Sequence, residues 1–132
     1  MPKKGDKKTW SGFAVAGTKY ANEGMRITRI EWIAKYVRYG AKFCLVRDPE
    51  NTFDPNAIKV KHVLKSGKKM TIGYVPNNSK RPLADEFAPL MDKFNWHPKV
   101  ALGQKLVAEE DNPERGLKAG EVYGLTLRYA IR

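Results

Sequence analysis

The chain has 132 residues, 25 of them basic and 14 acidic, for a net charge of +11. That length suits one domain with a real core, and no apolar run approaches the roughly 18–20 residues of a membrane span. The charge points to an anionic partner, nucleic acid foremost, ahead of lysines that merely solvate a surface. It is also uneven, with 14 basic and 6 acidic residues in 1–66 against 11 and 8 in 67–132.

Residues 1–9 hold four lysines and no apolar residue after Met1. They read as a disordered basic tail, able to add loose attraction to phosphates, and not as a secretory signal. The domain proper is expected over 10–132. Trp10 to Tyr20 reads as a strand, with Gly12 and Gly17 near its ends. From Asn22 to Gly40, Ile27, Ile30, Ile33, Ala34 and Val37 recur at helical spacing, and Gly40 would stop a helix. Ile27 to Trp32 also fits a strand. Trp32, Tyr36 and Tyr39 lie off the isoleucine stripe, where they could stack on bases, touch a partner, or simply pack.

Phe43 to Arg47 is apolar and bulky enough for a buried strand, and Ala57 to Val63 alternates Ile58 and Val60 with Lys59 and Lys61. The connection between them is dense in Asp, Asn and Pro. Asp48-Pro49 and Asp54-Pro55 both favour turns, because proline fixes its own φ and pushes the preceding residue out of the helical region. A rigid connection follows, with Phe53 at its tip facing no obvious core. The single cysteine, Cys44, lies in the first of these strands and reads as a buried small hydrophobe in a reducing, intracellular setting.

A basic hairpin turn, Lys65 to Lys69, leads into a strand from Met70 to Val75. Asn77 to Pro82 breaks it, and Asn78 or Ser79 can cap the helix that follows. That helix shows an apolar face in Leu83, Ala84, Phe87, Leu90, Met91 and Phe94, with Pro89 expected to kink or split it. Lys99 to Ala108 reads as a strand, and Glu109 to Ala119 as a solvated loop. Tyr123 to Ile131 alternates cleanly as a half-buried strand. About six strands with one or two short helices make a mainly β domain, a small antiparallel barrel or strongly curved sheet. Its expected core includes Leu45, Ile58, Val60, Ile72, Val75, Leu125 and Leu127.

Catalytic patterns are missing. His62 and His97 lie far apart and with one cysteine make no zinc spacing. There is no glycine-rich phosphate loop, and no serine has an evident histidine partner. Asp48, Glu50 and Asp54 could hold a metal, but turn capping explains them better. No cofactor is expected, and non-enzymatic binding is the default. Basic and aromatic side chains do adjoin: Lys19 with Tyr20, Arg38 with Tyr39, Arg47 ahead of Phe53, and Tyr74 ahead of Lys80 and Arg81. Single-stranded nucleic acid is held by such pairs, cations tracking phosphates while rings stack on bases.

Arg47-Asp-Pro-Glu-Asn-Thr-Phe-Asp-Pro-Asn-Ala-Ile-Lys-Val60 resembles the signature of the HIRAN domain family. Phe13 to Tyr20 resembles that family's opening Val-x-Gly strand, and Ile72-Gly-Tyr-Val-Pro76 its Ile-Gly-Tyr-x-Pro element. The resemblance implies an OB-like barrel that binds single-stranded DNA, in some members at a free 3′ end. By position in the motifs, Tyr20 would stack on terminal bases and Lys19 would meet a phosphate, without the bidentate geometry of the arginine it replaces. Phe53 would stack, lacking the hydroxyl of the tyrosine often found there. Asp54 would accept a hydrogen bond from the terminal 3′-hydroxyl. Asn77 stands where the family can place a phosphate-binding base, and Lys80 or Arg81 would serve instead. The segment 22–40 is longer than the family leads one to expect. It favours a competing role, a module that binds RNA or an acidic protein partner through its basic face.

Overall fold

The computed structural model describes residues 10–130. In chain order these form strand β1 (Trp10–Ala14), helix α1 (Arg29–Tyr36), β2 (Lys42–Arg47), β3 (Ile58–Val63), β4 (Lys69–Tyr74), α2 (Leu83–Phe94), β5 (Val100–Val107) and β6 (Val122–Ala130). The basic tail lies outside the described residues, as does Ile131.

The strands make two antiparallel three-stranded sheets, ordered β1-β6-β5 and β2-β3-β4. Alternation sets which side each strand buries. In β3, Ile58, Val60 and His62 face inward while Lys59, Lys61 and Val63 do not, as the two-residue period of a strand requires. The inner faces of both sheets share one core with α1 and α2, centred on Ile33, Ile58, Val60, Ile72, Leu125 and Leu127. All seven expected core residues are buried in it.

The expected barrel is corrected to two open sheets. β1 and β4 are joined only past the end of β1. There Val15 N–H donates to the Leu125 carbonyl at 2.9 Å and Ala16 makes a single bridge pair with Tyr74. Gly17, at φ +73°, then turns the chain away, so the pairing cannot propagate. On the other side β2 lies against β5 without a hydrogen-bonded ladder. The single seam between β1 and β4 is tight. Gly73 sits there at φ +153°, and a Cβ on it would collide with Val15 and lie 2.5 Å from the Ala16 carbonyl oxygen.

Three local expectations also change. The strand expected from Trp10 to Tyr20 stops at Ala14. The helix expected within 22–40 covers only Arg29–Tyr36. Residues 21–28 turn back instead, closed by a bridge between Ala21 and Thr28 with Gly24 at positive φ. Thr28 then opens the helix through a reciprocal capping box. Its hydroxyl accepts from Glu31 N–H at 3.2 Å, and the Glu31 carboxylate accepts from Thr28 N–H at 2.7 Å. Those bonds hold the Glu31 carboxyl below its usual range.

Neither Asn78 nor Ser79 caps α2. Asn78 spends its side-chain oxygen on Lys80 and Arg81 N–H within its own turn. The Asn77 side-chain oxygen accepts from Asp85 N–H in the first turn of the helix at 3.1 Å. Pro89 leaves α2 a single element. Among the described residues no helix is long and apolar enough to cross a membrane.

Candidate nucleic-acid interface

The β2–β3 connection is organised by its own side chains. Asp48 N–H donates to the Ala57 carbonyl at 2.9 Å, closing the base of the loop. The Asn51 side-chain oxygen accepts from Phe53 N–H at 2.9 Å and Asp54 N–H at 3.0 Å, and its amide donates to Asp48 at 3.1 Å. Asp54 Oδ1 accepts from Asn56 N–H at 2.9 Å, the Asx turn expected before a Pro-Asn pair. The result is a fixed tip from which the Phe53 ring projects, 96 % exposed.

Arg47 braces this loop from beneath. Its guanidinium donates to the Ala57 and Pro55 carbonyls at 2.8 and 3.0 Å and grips the Asp92 carboxylate with two bonds at 3.0 and 3.2 Å. Such bidentate geometry absorbs most of the group's donors. Arg47 therefore ties the loop to α2 and does not present itself to a ligand.

A cleft of about 610 Å³ opens beside the loop tip, lined by Gly17, Tyr20, Arg29, Asn51, Phe53, Asp54, Ala57, Tyr74 and Val75. Four separate segments contribute. Tyr20 follows the seam and is 58 % exposed, with the Lys19 ammonium 5.3 Å from its ring centroid. Tyr74 ends β4, its hydroxyl 3.5 Å from Asp48. Arg29 is the first residue of α1 and lies 5.4 Å from the Tyr74 ring centroid. It is fixed by bonds to the Gly17 carbonyl at 2.9 Å and the Asn22 side chain at 2.8 Å. The cleft is thus walled by three rings and carries one cation and one carboxylate.

Asp54 is the carboxylate. Besides the turn, its Oδ2 accepts from the Asn77 amide at 2.7 Å. An ionised carboxylate has about four acceptor sites, so two remain for a donor entering the cleft. Asn77 has no such reserve. Both its amide protons are used, on Asp54 and on Asp85 at 3.0 Å. It positions Asp54 and cannot also donate to a phosphate. Asn56 donates to the same Asp85 oxygen at 3.0 Å, and together these bonds lower the Asp85 pKa.

The structure thus brings Tyr20, Phe53, Asp54 and Tyr74 together, with Lys19 against Tyr20. Lys80 and Arg81 do not line the cleft. Arg81 donates to the Gly12 carbonyl at 2.8 Å, and Lys80 is exposed. Arg29 is the residue that sequence reading missed. The capping box Thr28-Arg29-Ile30-Glu31 was the available signal, since it marks Arg29 as the first helical residue and so places it at the helix end nearest the seam.

The HIRAN domain model matches residues 10–110. The chain belongs to the HIRAN domain family. That match spans β1 to β5, both helices and every residue of the cleft, and ends before β6. HIRAN domains are a DNA-binding family. No match was found among curated proteins or among solved structures.

Proposed function

We propose that this HIRAN domain is a non-enzymatic module that binds single-stranded DNA and takes a free 3′-hydroxyl end into the cleft. The observation that carries the reading is the convergence of the Tyr20, Phe53 and Tyr74 rings around Asp54 and Arg29. Exposed rings on rigid backbone stack on bases with little ordering cost. Arg29, already oriented by two protein bonds, offers its remaining N–H groups to a phosphate.

Asp54 supplies the end preference. A carboxylate beside a nucleic acid backbone is repelled unless it meets a donor, and phosphodiesters carry none. A terminal 3′-hydroxyl is a donor, and an internal deoxynucleotide has lost it. The test is a comparison of one sequence as a linear strand with a 3′-hydroxyl and as a closed circle. The linear strand should bind roughly tenfold or more tighter, the worth of one hydrogen bond to a charged group. Equal binding of the two forms would eliminate end recognition.

A further inference from the structure

We infer that the outer face of the β2-β3-β4 sheet is a second nucleic-acid contact, a lysine track that carries the sugar-phosphate backbone of the strand away from the cleft. The inference rests on the reading of single-stranded DNA as the ligand.

Residues 55–84 contain seven basic side chains and no acidic one, although at the chain's mean density of 14 acids in 132 residues about three would fall there. The strand register gathers three of these cations, together with Lys42, onto one face. Antiparallel partners lie on the same side of a sheet, and the pairs Lys59↔Tyr74, Lys61↔Cys44, Lys61↔Thr71, Lys42↔Val63 and Val63↔Lys69 put Lys42, Lys59, Lys61 and Lys69 together. Lys65 and Lys68 extend the set into the exposed β3–β4 hairpin. Among the described residues the only ion pair is Arg47–Asp92. None of these six ammonium groups meets a carboxylate there, so the face keeps its full charge.

The track begins at the cleft. Lys59 stands opposite Tyr74, whose ring is a cleft wall. From Lys59 to Val63 the strand covers about 13 Å at ~3.3 Å per residue, and Lys65 follows in the hairpin turn. Successive outward lysines on β3 are about 6.6 Å apart, a step close to that of one nucleotide in an extended strand. At the far end Lys42 and Lys65 line a groove with Arg38 and Tyr39, and the Tyr39 ring is 99 % exposed. A strand whose 3′ end is held in the cleft must leave it somewhere, and this face, which starts beside Tyr74, offers a row of cations without a paired carboxylate among the described residues. A flat, unshielded row of cations raises the energy of the free protein and is relieved by a polyanion.

The test is the triple variant Lys59→Gln/Lys61→Gln/Lys69→Gln, with Phe53→Ala as the cleft control. Affinity is measured against salt for a 3′-hydroxyl dinucleotide, a strand of about a dozen nucleotides and a duplex of that length. Each phosphate contact on a single strand contributes about 0.7 to the slope of log K against log salt. The triple variant should therefore flatten the long-strand slope by about 2 and bind the dinucleotide as the wild type does. Between 50 and 200 mM salt, the long strand should then lose about 16-fold less affinity than it does with wild type. Phe53→Ala should weaken dinucleotide and long strand together and keep the slope. An unchanged long-strand slope in the triple variant overturns the track, and so does a slope change seen with duplex alone. If the triple variant loses its slope while Phe53→Ala changes nothing, the track stands and the cleft reading fails.

Discussion

Asp54→Asn isolates the proposed end recognition, provided its structural cost is separated from its effect on the ligand. Asp54 uses Oδ1 for the Asn56 N–H and Oδ2 for the Asn77 amide, at 2.9 and 2.7 Å. An asparagine can keep only one of these. Its amide must face either the Asn56 N–H or the Asn77 amide, donor against donor. One bond to a charged group is lost, worth about 1.5–3 kcal/mol. The site is half-buried, so water will replace part of that, and the low end applies to stability. Raw affinity is therefore a poor readout, because a loosened loop weakens every ligand. The ratio of affinities for 3′-hydroxyl and 3′-phosphate strands cancels this common loss. In wild type the ratio should be about ten- to a hundredfold, the same 1.5–3 kcal/mol in binding, and in Asp54→Asn it should fall toward one. Asn77→Ala is the control, since it loosens the carboxylate but leaves its charge. It should lower thermal stability and retain most of the ratio. Fluorescence anisotropy with end-modified oligonucleotides measures both. A wild-type ratio near one, or a ratio kept intact in Asp54→Asn, would refute the argument.

Phe53→Ala and Tyr20→Ala should each cost about 1–3 kcal/mol of single-strand affinity with little change in melting temperature, because both rings are exposed. A variant that unfolds, or that binds normally, contradicts this for its residue. Gly73→Ala should destabilise the protein by at least about 2 kcal/mol in urea unfolding, since it adds both backbone strain and a collision with the Val15–Ala16 seam; wild-type stability would show that the seam can give. His62 is buried, and its Nδ1 accepts from the Trp32 indole N–H at 3.1 Å. Burial pushes its pKa below 6.5, so the unfolded chain binds the proton more readily. Stability is then full above about pH 6.5 and falls as pH drops through the folded value, and His62→Gln should flatten that limb of the pH–stability curve.

The strands were readable where alternation was strict. β6 and β3 carry clean two-residue patterns, and their inward residues Leu125, Leu127, Ile58 and Val60 are buried. The barrel was not readable, because closure depends on whether edges find each other across the molecule, and that is decided by the turn at Gly17. Isoleucine spacing alone overstates the helix within 22–40, which covers only Arg29–Tyr36. Only Ile33 and Val37 reach the deep core, and the capping box at Thr28 marks the true start. At the site, the β2–β3 loop could be understood from its own residues, since Asp, Asn and Pro act within a few positions. The partners of Arg47 and Asn77 could not. Asp92 and Asp54 lie 45 and 23 residues away, and no local pattern records such pairings. For Arg29 the capping box marks its position as the first helical residue, but its place over Tyr74 is set by how α1 docks.

The single seam between the sheets has a thermodynamic consequence. Tyr74 is at once the residue that bridges to Ala16 and a wall of the cleft, and Gly17 is both the turn that ends the seam and the carbonyl that orients Arg29. Parting the sheets at this point dismantles the cleft in the same motion. The two equilibria are therefore linked, and any molecule that occupies the intact cleft closes the sheets more firmly by RT ln(1 + [L]/Kd). Amide exchange at Ala16 and Tyr74, whose N–H groups donate to each other's carbonyls at 2.8 and 2.9 Å, reports ligand occupancy from inside the scaffold, with no label placed in the cleft itself.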